Sequence, residues 1–352
     1  MRTSVESTQR PLEKPSRGIL ELIGNTPLIP LANVQQEFPG VQLVAKLEWF
    51  NPGGSVKDRA AASIIADAEA SGRLREGVRL LDASSGNTAI AYAMIAAAKG
   101  YQLTVCVPRN ANPQVLGTIK HFGAELVLTD PLQGSDGAIR EARRLSDEWP
   151  TRFLYLDQYN NPTNWQAHYR TTAAEIWEQT DGTATHFVAG LGTTGTFIGT
   201  TRRLKAFNPS LQAIAVQPDS AFHGLEGLKH LDSAILPGIY DPSVPDETLF
   251  ISTETAYAAV ERLVRQEGLL VGPSSGAVLA AALQVASRLR STASRTPATI
   301  PPPGGRPEAG SFHDPGRCRQ PPPGGGTIVM IFPDAGGRYA AEGLLVTPAQ
   351  RL

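Results

Sequence analysis

From about residue 40 onward, short β-branched and apolar runs alternate with stretches whose apolar positions recur at helical spacing. The runs Gln42–Lys46, Arg79–Asp82, Gln102–Val107, Glu125–Thr129, His186–Ala189, Gln212–Val216 and Thr327–Phe332 predict strands. Between them Asp58–Ala70 predicts a helix, in which Ala61, Ile64, Ile65 and Ala68 form one apolar stripe. Gly72 and Gly100 follow helical stretches closely and predict C-terminal caps. This alternation predicts an α/β protein with largely parallel sheets, two of them over such a length. No internal repeat of fixed period interrupts it.

One region breaks the pattern. From Thr292 to Gly326 the chain passes through PATIPPPGGRPEAG to RCRQPPPGGG, with almost no residue able to join a core. That composition predicts a flexible surface insertion, and only composition supports a partner-binding role for it. The balance of 32 Lys+Arg against 33 Asp+Glu gives no net field favouring nucleic acid or an anionic membrane. The first eighteen residues are polar and lack the apolar core of a signal peptide. The longest apolar stretch, Ala89–Ala98, is about half the length a membrane span needs. Cys106 and Cys318 lie far apart, with no metal-ligand spacing near either. The expectation is a soluble, cytoplasmic protein without disulfides, metal, nucleic-acid partner or membrane partner.

Three polar, glycine-rich loops each follow a predicted strand and precede a predicted helix, where open α/β sheets bind ligands. In Asn51–Arg59 (NPGGSVKDR), Gly53 and Gly54 allow a tight turn and Lys57 falls at the helix start. Helix-start amides there favour a neutral amine able to condense with an aldehyde; the plainer account is a solvated lysine near Asp58. In Asp82–Ile90 (DASSGNTAI), short polar residues crowd one helix N-terminus, more than a cap requires, and suit a carboxylate or phosphate. In Gly190–Gly199 (GLGTTGTFIG) the letters match a dinucleotide fingerprint, yet about twenty residues on only Asp219 is acidic. The threonines there fit a single phosphate at a helix start better. In Val271–Val278 (VGPSSGAV), Ser274 or Ser275 could cap a helix or aim a hydroxyl at a ring nitrogen.

Together these loops resemble cysteine synthase (O-acetylserine sulfhydrylase), among the fold-type II pyridoxal-phosphate enzymes. The likeness runs from IGNTPLIPL (Ile23–Leu31) through NPGGSVKDRAA, SSGNT, LDQYNNPTN, HFVAGLGTTGT, LPGIYDP and GPSSGAV to DAGGRY (Asp334–Tyr339). LDQYNNPTNWQAHYRTTAAEIWEQT and LPGIYDP most resemble the cysteine synthase B branch. The resemblance implies two three-layer α/β domains with the cofactor, pyridoxal 5'-phosphate, in the cleft between them. A smaller, mobile domain would span residues 46–160, and a larger, phosphate-binding one 15–45 plus 161–350. Residues 1–14 would form a tail, and 292–326 an insertion in the larger domain. A homodimer is implied on the same ground alone.

Carried over by residue, the resemblance implies that Lys57 holds the cofactor as a Schiff base and takes the substrate's Cα proton. Asn87 would bond the phenolic oxygen; Gly192, Thr193, Thr194, Gly195 and Thr196 would cradle the phosphate; Ser274 would face the pyridine nitrogen. Ser84, Ser85, Gly86, Thr88 and Gln158 would hold the substrate's α-carboxylate. The implied reaction is loss of acetate or phosphate from an O-activated L-serine, by way of α-aminoacrylate. Addition of sulfide or thiosulfate then gives L-cysteine or an S-substituted cysteine. Other expectations on this scaffold are a different β-substituted alanine, such as 2,3-diaminopropionate or cyanoalanine, or a non-catalytic cofactor-binding paralogue.

Some positions depart from the family's pattern. SSGNTA replaces the usual TSGNTG, so Ala89 adds a methyl group near the helix start. PRNANPQVLGTIK (Pro108–Lys120) stands where relatives carry serine-x-glutamate-arginine-arginine, in the segment that closes over substrate. RYAAEG (Arg338–Gly343) lacks the Ser–Thr of RYLSTG. Lys229 aligns where branches using O-phosphoserine or bulky sulfur donors carry arginine; it would pair with a phosphate or thiosulfate group, or be an ordinary exposed lysine.

Overall fold

The computed structural model describes residues 18–293 and 325–340. Among them ten strands form two sheets. The strands are β1 (Leu28–Pro30), β2 (Gln42–Leu47), β3 (Arg79–Ala83), β4 (Leu103–Pro108), β5 (Glu125–Thr129), β6 (Phe153–Tyr155), β7 (Ala184–Gly190), β8 (Gln212–Pro218), β9 (Glu247–Ile251) and β10 (Thr327–Phe332). One sheet has the order β1-β2-β10-β7-β8-β9 and the other β5-β4-β3-β6. Every pairing is parallel except β1 with β2. All the strands expected from sequence are present, with ends displaced by no more than two residues. The three that periodicity missed, β1, β6 and β9, lie at sheet edges.

The four-stranded sheet is covered on both faces because its strands alternate with period two. Leu80, Leu103 and Val105 pack with helices α1 (Lys57–Ala70), α2 (Asn87–Lys99) and α3 (Pro113–His121). Leu81, Ala83 and Cys106 face the other way, onto α4 (Gly134–Glu148). The larger sheet repeats the scheme. Val44, Val329 and Ile331 pack toward α6 (Thr172–Gln179) and α7 (Gly195–Phe207), just after α5 (Thr163–Arg170). Leu43, Ala45, Ile328 and Met330 pack toward α8 (Thr253–Arg262) and α9 (Pro273–Ala293). Helix α1 follows β2 of the larger sheet yet packs on the smaller one, so its first residue, Lys57, stands where the two layered units meet.

Gly100 closes α2 in the left-handed conformation at φ 74° and Gly72 does the same just past α1 at φ 66°, as the sequence predicts. Helix α9 runs to Ala293, two residues into the stretch whose composition breaks the pattern from Thr292. Most of the proline-rich stretch, 294–324, lies outside the described residues, as do the tail 1–14, Cys318 and the end of RYAAEG. Cys106 is a buried free thiol whose pKa burial pushes up to about 12. Among the described residues no helix is long and apolar enough to cross a membrane.

A buried ionic network joins β2, α1 and α6. Arg59 grips Glu48 with two hydrogen bonds, at 2.7 and 2.9 Å, and Glu175 with two more, at 2.6 and 2.8 Å. Lys46 Nζ donates to Glu175 at 2.7 Å, to Gln179 at 2.8 Å and to the Thr26 carbonyl at 2.6 Å. Burial acts to raise the Glu175 pKa, but the hydrogen bonds and charge of Arg59, with those of Lys46, hold it down to about 2. Replacing Glu175 with Gln should cost roughly 3 kcal/mol at neutral pH, because it leaves buried cations short of a partner. The folded carboxyl titrates below its unfolded value, so the contribution is complete above about pH 5 and fades as pH falls toward 2. Urea unfolding of parent and variant at neutral pH and near pH 3.5 should show the gap narrowing in acid; a pH-independent gap would refute the linkage.

Candidate active site

Four loops leave the carboxyl ends of β2, β3, β7 and β10 and converge on one cavity. It is lined by Val56, Lys57, Asn87, Gly192, Thr193, Thr194, Thr196, Gly227, Ser274 and Asp334, among others. Because β10 lies between β2 and β7, Asp334, two residues past β10, falls beside both the Lys57 loop and the Gly192 loop. Every residue expected to bind cofactor lines this cavity except Gly195, which begins α7 directly behind it.

Lys57 is the first residue of α1 and is only partly accessible. Its pKa is lowered chiefly by burial, against the opposing attraction of Asp334 and Glu48. A solvated lysine is therefore not what the fold contains; burial lowers its proton affinity. The neighbouring Asp58 is buried and pushed up to about 7 by that burial; it accepts a hydrogen bond from Gly53 N at 2.5 Å.

Asn87 begins α2 and is held at both ends of its amide. Its Nδ2 donates to Asp334 Oδ2 at 2.6 Å, and its Oδ1 accepts from Arg338. Arg338 also donates to the Gly53 carbonyl at 2.6 Å, and Tyr339 donates to Asp334 Oδ2 at 2.6 Å. Burial raises the Asp334 pKa, and the hydrogen bonds from Tyr339 and Asn87 oppose that. The motifs DAGGRY and RYAAEG contain Asp334 and Arg338 but by themselves point to no role for either. Their signal is a pair of opposite charges around two glycines at a strand end.

The Gly192–Thr196 segment wraps the start of α7. Thr194 sits in the left-handed region at φ 72°, an unusual conformation for threonine, which turns the chain into the helix. A Cβ on Gly192 would lie 2.3 Å from the Gly227 carbonyl oxygen, and one on Gly195 2.0 Å from Asn164 Oδ1. Thr196 Oγ1 lies 3.3 Å from Nε2 of His168, whose ring burial and the nearby Arg59 keep neutral, at about 3. Thr194 Oγ1 and Asn164 Oδ1 are buried without a hydrogen-bond partner. Backbone amides at the start of a 13-residue helix, the unpaired Thr194 hydroxyl and two glycines with no room for a side chain fit a phosphate group.

Ser274 and Ser275 lie inside the first turn of α9, which begins at Pro273, so neither occupies the cap position that was one expectation. Ser274 is 2% exposed and lines the cavity; Ser275 Oγ, also buried, lacks a partner.

The cavity opens into a wider cleft lined by Ser84, Ser85, Gly86, Thr88, Gln158 and Lys229. Ser84 Oγ accepts from the amides of Gly86 and Ala89, at 3.3 and 3.2 Å, and so caps α2 while facing the cleft. Thr88 donates to Gln158 Oε1 at 2.8 Å, and Gln158 Nε2 donates to the Ala83 carbonyl at 2.7 Å. Ala89 is fully buried in the core under α2, so its methyl group points away from the cleft. Asn112, in the divergent Pro108–Lys120 segment, caps α3 and donates to the Arg338 carbonyl at 3.1 Å. Lys229 is not an exposed lysine: it is 8% exposed and paired with Asp136 at 3.2 Å.

The fold and this lysine-centred cavity define a pyridoxal-phosphate site. Residues 19–296 match the family described as pyridoxal-phosphate dependent enzyme, and the chain belongs to that family. A cysteine synthase of Aquifex aeolicus is 45% identical over 336 residues, covering 95% of this chain and 94% of that protein. A cysteine synthase B of Salmonella typhimurium is 41% identical over 76% of this chain and 86% of its own length. Among solved structures, a cysteine synthase of Entamoeba histolytica superposes with a TM-score of 0.80 at 33% identity, covering 98% of this chain and 94% of that one. The cofactor is pyridoxal phosphate.

Gly192→Ala tests the cradle directly. The neighbouring atom is backbone and cannot swing aside, so the substitution should cost roughly 1–3 kcal/mol and weaken cofactor affinity. Fluorescence titration of the apoprotein with pyridoxal phosphate measures it; unchanged affinity and stability would mean that the loop relaxes freely.

Proposed function

We propose that this chain catalyses β-replacement on an O-activated L-serine, O-acetyl-L-serine or O-phospho-L-serine, giving L-cysteine or an S-substituted cysteine. The observation that carries this reading is the single cavity shared by Lys57, Asn87, the Gly192–Thr196 segment and Ser274, opening on Ser84–Thr88. The names of the relatives, cysteine synthase and cysteine synthase B, support it.

Bound pyridoxal phosphate supplies an electron sink for the carbon next to the amine it holds. Lys57 Nζ, its proton affinity lowered by burial, anchors the cofactor and then receives the substrate's Cα proton. Asn87, clamped by Asp334 and Arg338, orients the phenolic oxygen. Gly192 to Thr196 hold the phosphate at the start of α7. Ser274 offers the pyridine nitrogen a neutral hydroxyl, which makes a weaker electron sink than a carboxylate partner would and favours loss of a β-leaving group. The α-carboxylate would meet the start of α2 at Ser84, Ser85, Gly86 and Thr88, the Thr88 hydroxyl turning from Gln158 Oε1 to donate to it. In net terms acetate or phosphate leaves Cβ and the sulfur of sulfide or thiosulfate bonds there. Lys229, in the outer cleft, faces the side on which an anionic leaving group or thiosulfate would lie.

The same reading includes a homodimer in the cytoplasm acting on small molecules, with residues 46–160 closing over 15–45 plus 161–350 as substrate binds. Lys57→Ala should abolish the visible absorbance of lysine-bound cofactor and lower turnover by roughly a thousandfold or more. Titrating the holoenzyme with both activated serines, then identifying products with sulfide, thiosulfate and cyanide, separates cysteine formation from cyanoalanine formation. No spectral response to either serine would refute β-replacement and leave a non-catalytic cofactor-binding protein.

A further inference from the structure

The outer cleft contains a charge pair that bears on which activated serine fits, given the β-replacement reading above. Lys229 follows β8 of the six-stranded sheet, and Asp136 lies in the first turn of α4, on the four-stranded one. Asp136 Oδ1 accepts from Lys229 Nζ at 3.2 Å, and its Oδ2 accepts from the Ile235 amide at 2.8 Å. Lys229 Nζ also donates to Ser135 Oγ at 3.3 Å and stands 5.0 Å from the centre of the Tyr159 ring. Both charges line the cleft that Lys57 and Ser84–Thr88 open into. The other side chain there that is permanently cationic and bonded within the site, Arg338, is committed to Asn87 and the Gly53 carbonyl.

We propose that Asp136 is a specificity-determining residue: an internal counter-anion that occupies Lys229 and biases the cleft toward an activated serine whose leaving group is uncharged until it departs. An acetyl ester asks nothing of Lys229. A phosphate ester brings about two negative charges to a cation already neutralised, and meets the Asp136 carboxylate within a few ångströms. It must displace that carboxylate, which also breaks the Asp136–Ile235 contact bridging the two sheet units. The arrangement therefore couples leaving-group charge to the seam between the units.

Asp136→Asn keeps the shape and an acceptor for the Ile235 amide while removing the charge. The ratio of kcat/KM for O-phospho-L-serine to that for O-acetyl-L-serine should rise roughly tenfold or more, mainly through KM for the phosphate ester. The gain should vanish in the double variant Asp136→Asn/Lys229→Met, because it depends on a freed Lys229. Inorganic phosphate, as an inhibitor competing with O-acetyl-L-serine, should likewise bind more tightly to Asp136→Asn and not to the double variant. If Asp136→Asn does not fold, Asp136→Ser is measured in its place. An unchanged ratio with either ester turned over, or a gain that survives in the double variant, overturns the role of Asp136 alone. A parent that turns over neither ester overturns the β-replacement reading, and the proposal with it.

Discussion

Arg59 lies two residues beyond Lys57 and is held by four hydrogen bonds to two carboxylates in the interior. Glu48 comes from the turn after β2, Glu175 from α6, and Lys46 from β2 closes the other side of Glu175. Isolated, none of these charges could be buried; desolvation alone costs several kcal/mol per ion and is offset only by close, fully bonded geometry. The network consequently tolerates one arrangement of β2, the 48–56 turn and the first turn of α1. Asn51 is tied to the same cluster, donating to Glu48 while its Oδ1 accepts from Gly24 N. The position of Lys57 Nζ is thus set by charges that do not themselves line its cavity.

Given that anchor, the remaining site follows from parallel topology. Parallel strands deliver all their carboxyl ends to one side, so loops far apart in sequence meet there. The strand placed between β2 and β7 is β10, reached only after the whole of the large unit has been built. It brings Asp334 to Asn87 across 247 positions, and Arg338 to both Asn87 and Gly53. Lys57 then experiences two opposing effects: burial lowers its proton affinity, while the buried Asp334 raises it. A lysine that must act as nucleophile and proton acceptor is suited by that balance, since neither a fully cationic nor a permanently neutral amine could do both.

Much of this is written locally and some of it is not. The long strands were legible because Leu80 against Leu81, or Val44 against Leu43, alternate between two buried faces. Edge strands β1, β6 and β9 were not, since three residues such as Phe153–Tyr155, or a half-buried run such as Glu247–Ile251, give periodicity too little to register. The lysine loop, the Ser84–Thr88 loop, the Gly192–Thr196 segment and Ser274 stood out because each packs several unusual residues into one turn. Three features needed the fold: the clamp on Asn87, the burial of Lys229 against Asp136, and the inward direction of Ala89. Each depends on contacts between residues remote in sequence or on which side of a helix faces the sheet.

The distribution of unsatisfied polar atoms carries the argument one step further. Buried oxygens without partners ordinarily cost about 1–3 kcal/mol each, and a fold has every reason to avoid clustering them. Here Thr194 Oγ1, Asn164 Oδ1, Ser275 Oγ and Asp334 Oδ1 all lie in or directly behind the walls of one cavity. The nearby glycines leave no room for a side chain: Cβ atoms on Gly192 and Gly195 would strike the Gly227 carbonyl and Asn164. Of these, the Thr194 hydroxyl at the start of α7 can turn to donate to an anionic phosphate, so part of the deficit falls where a phosphate-bearing cofactor relieves it.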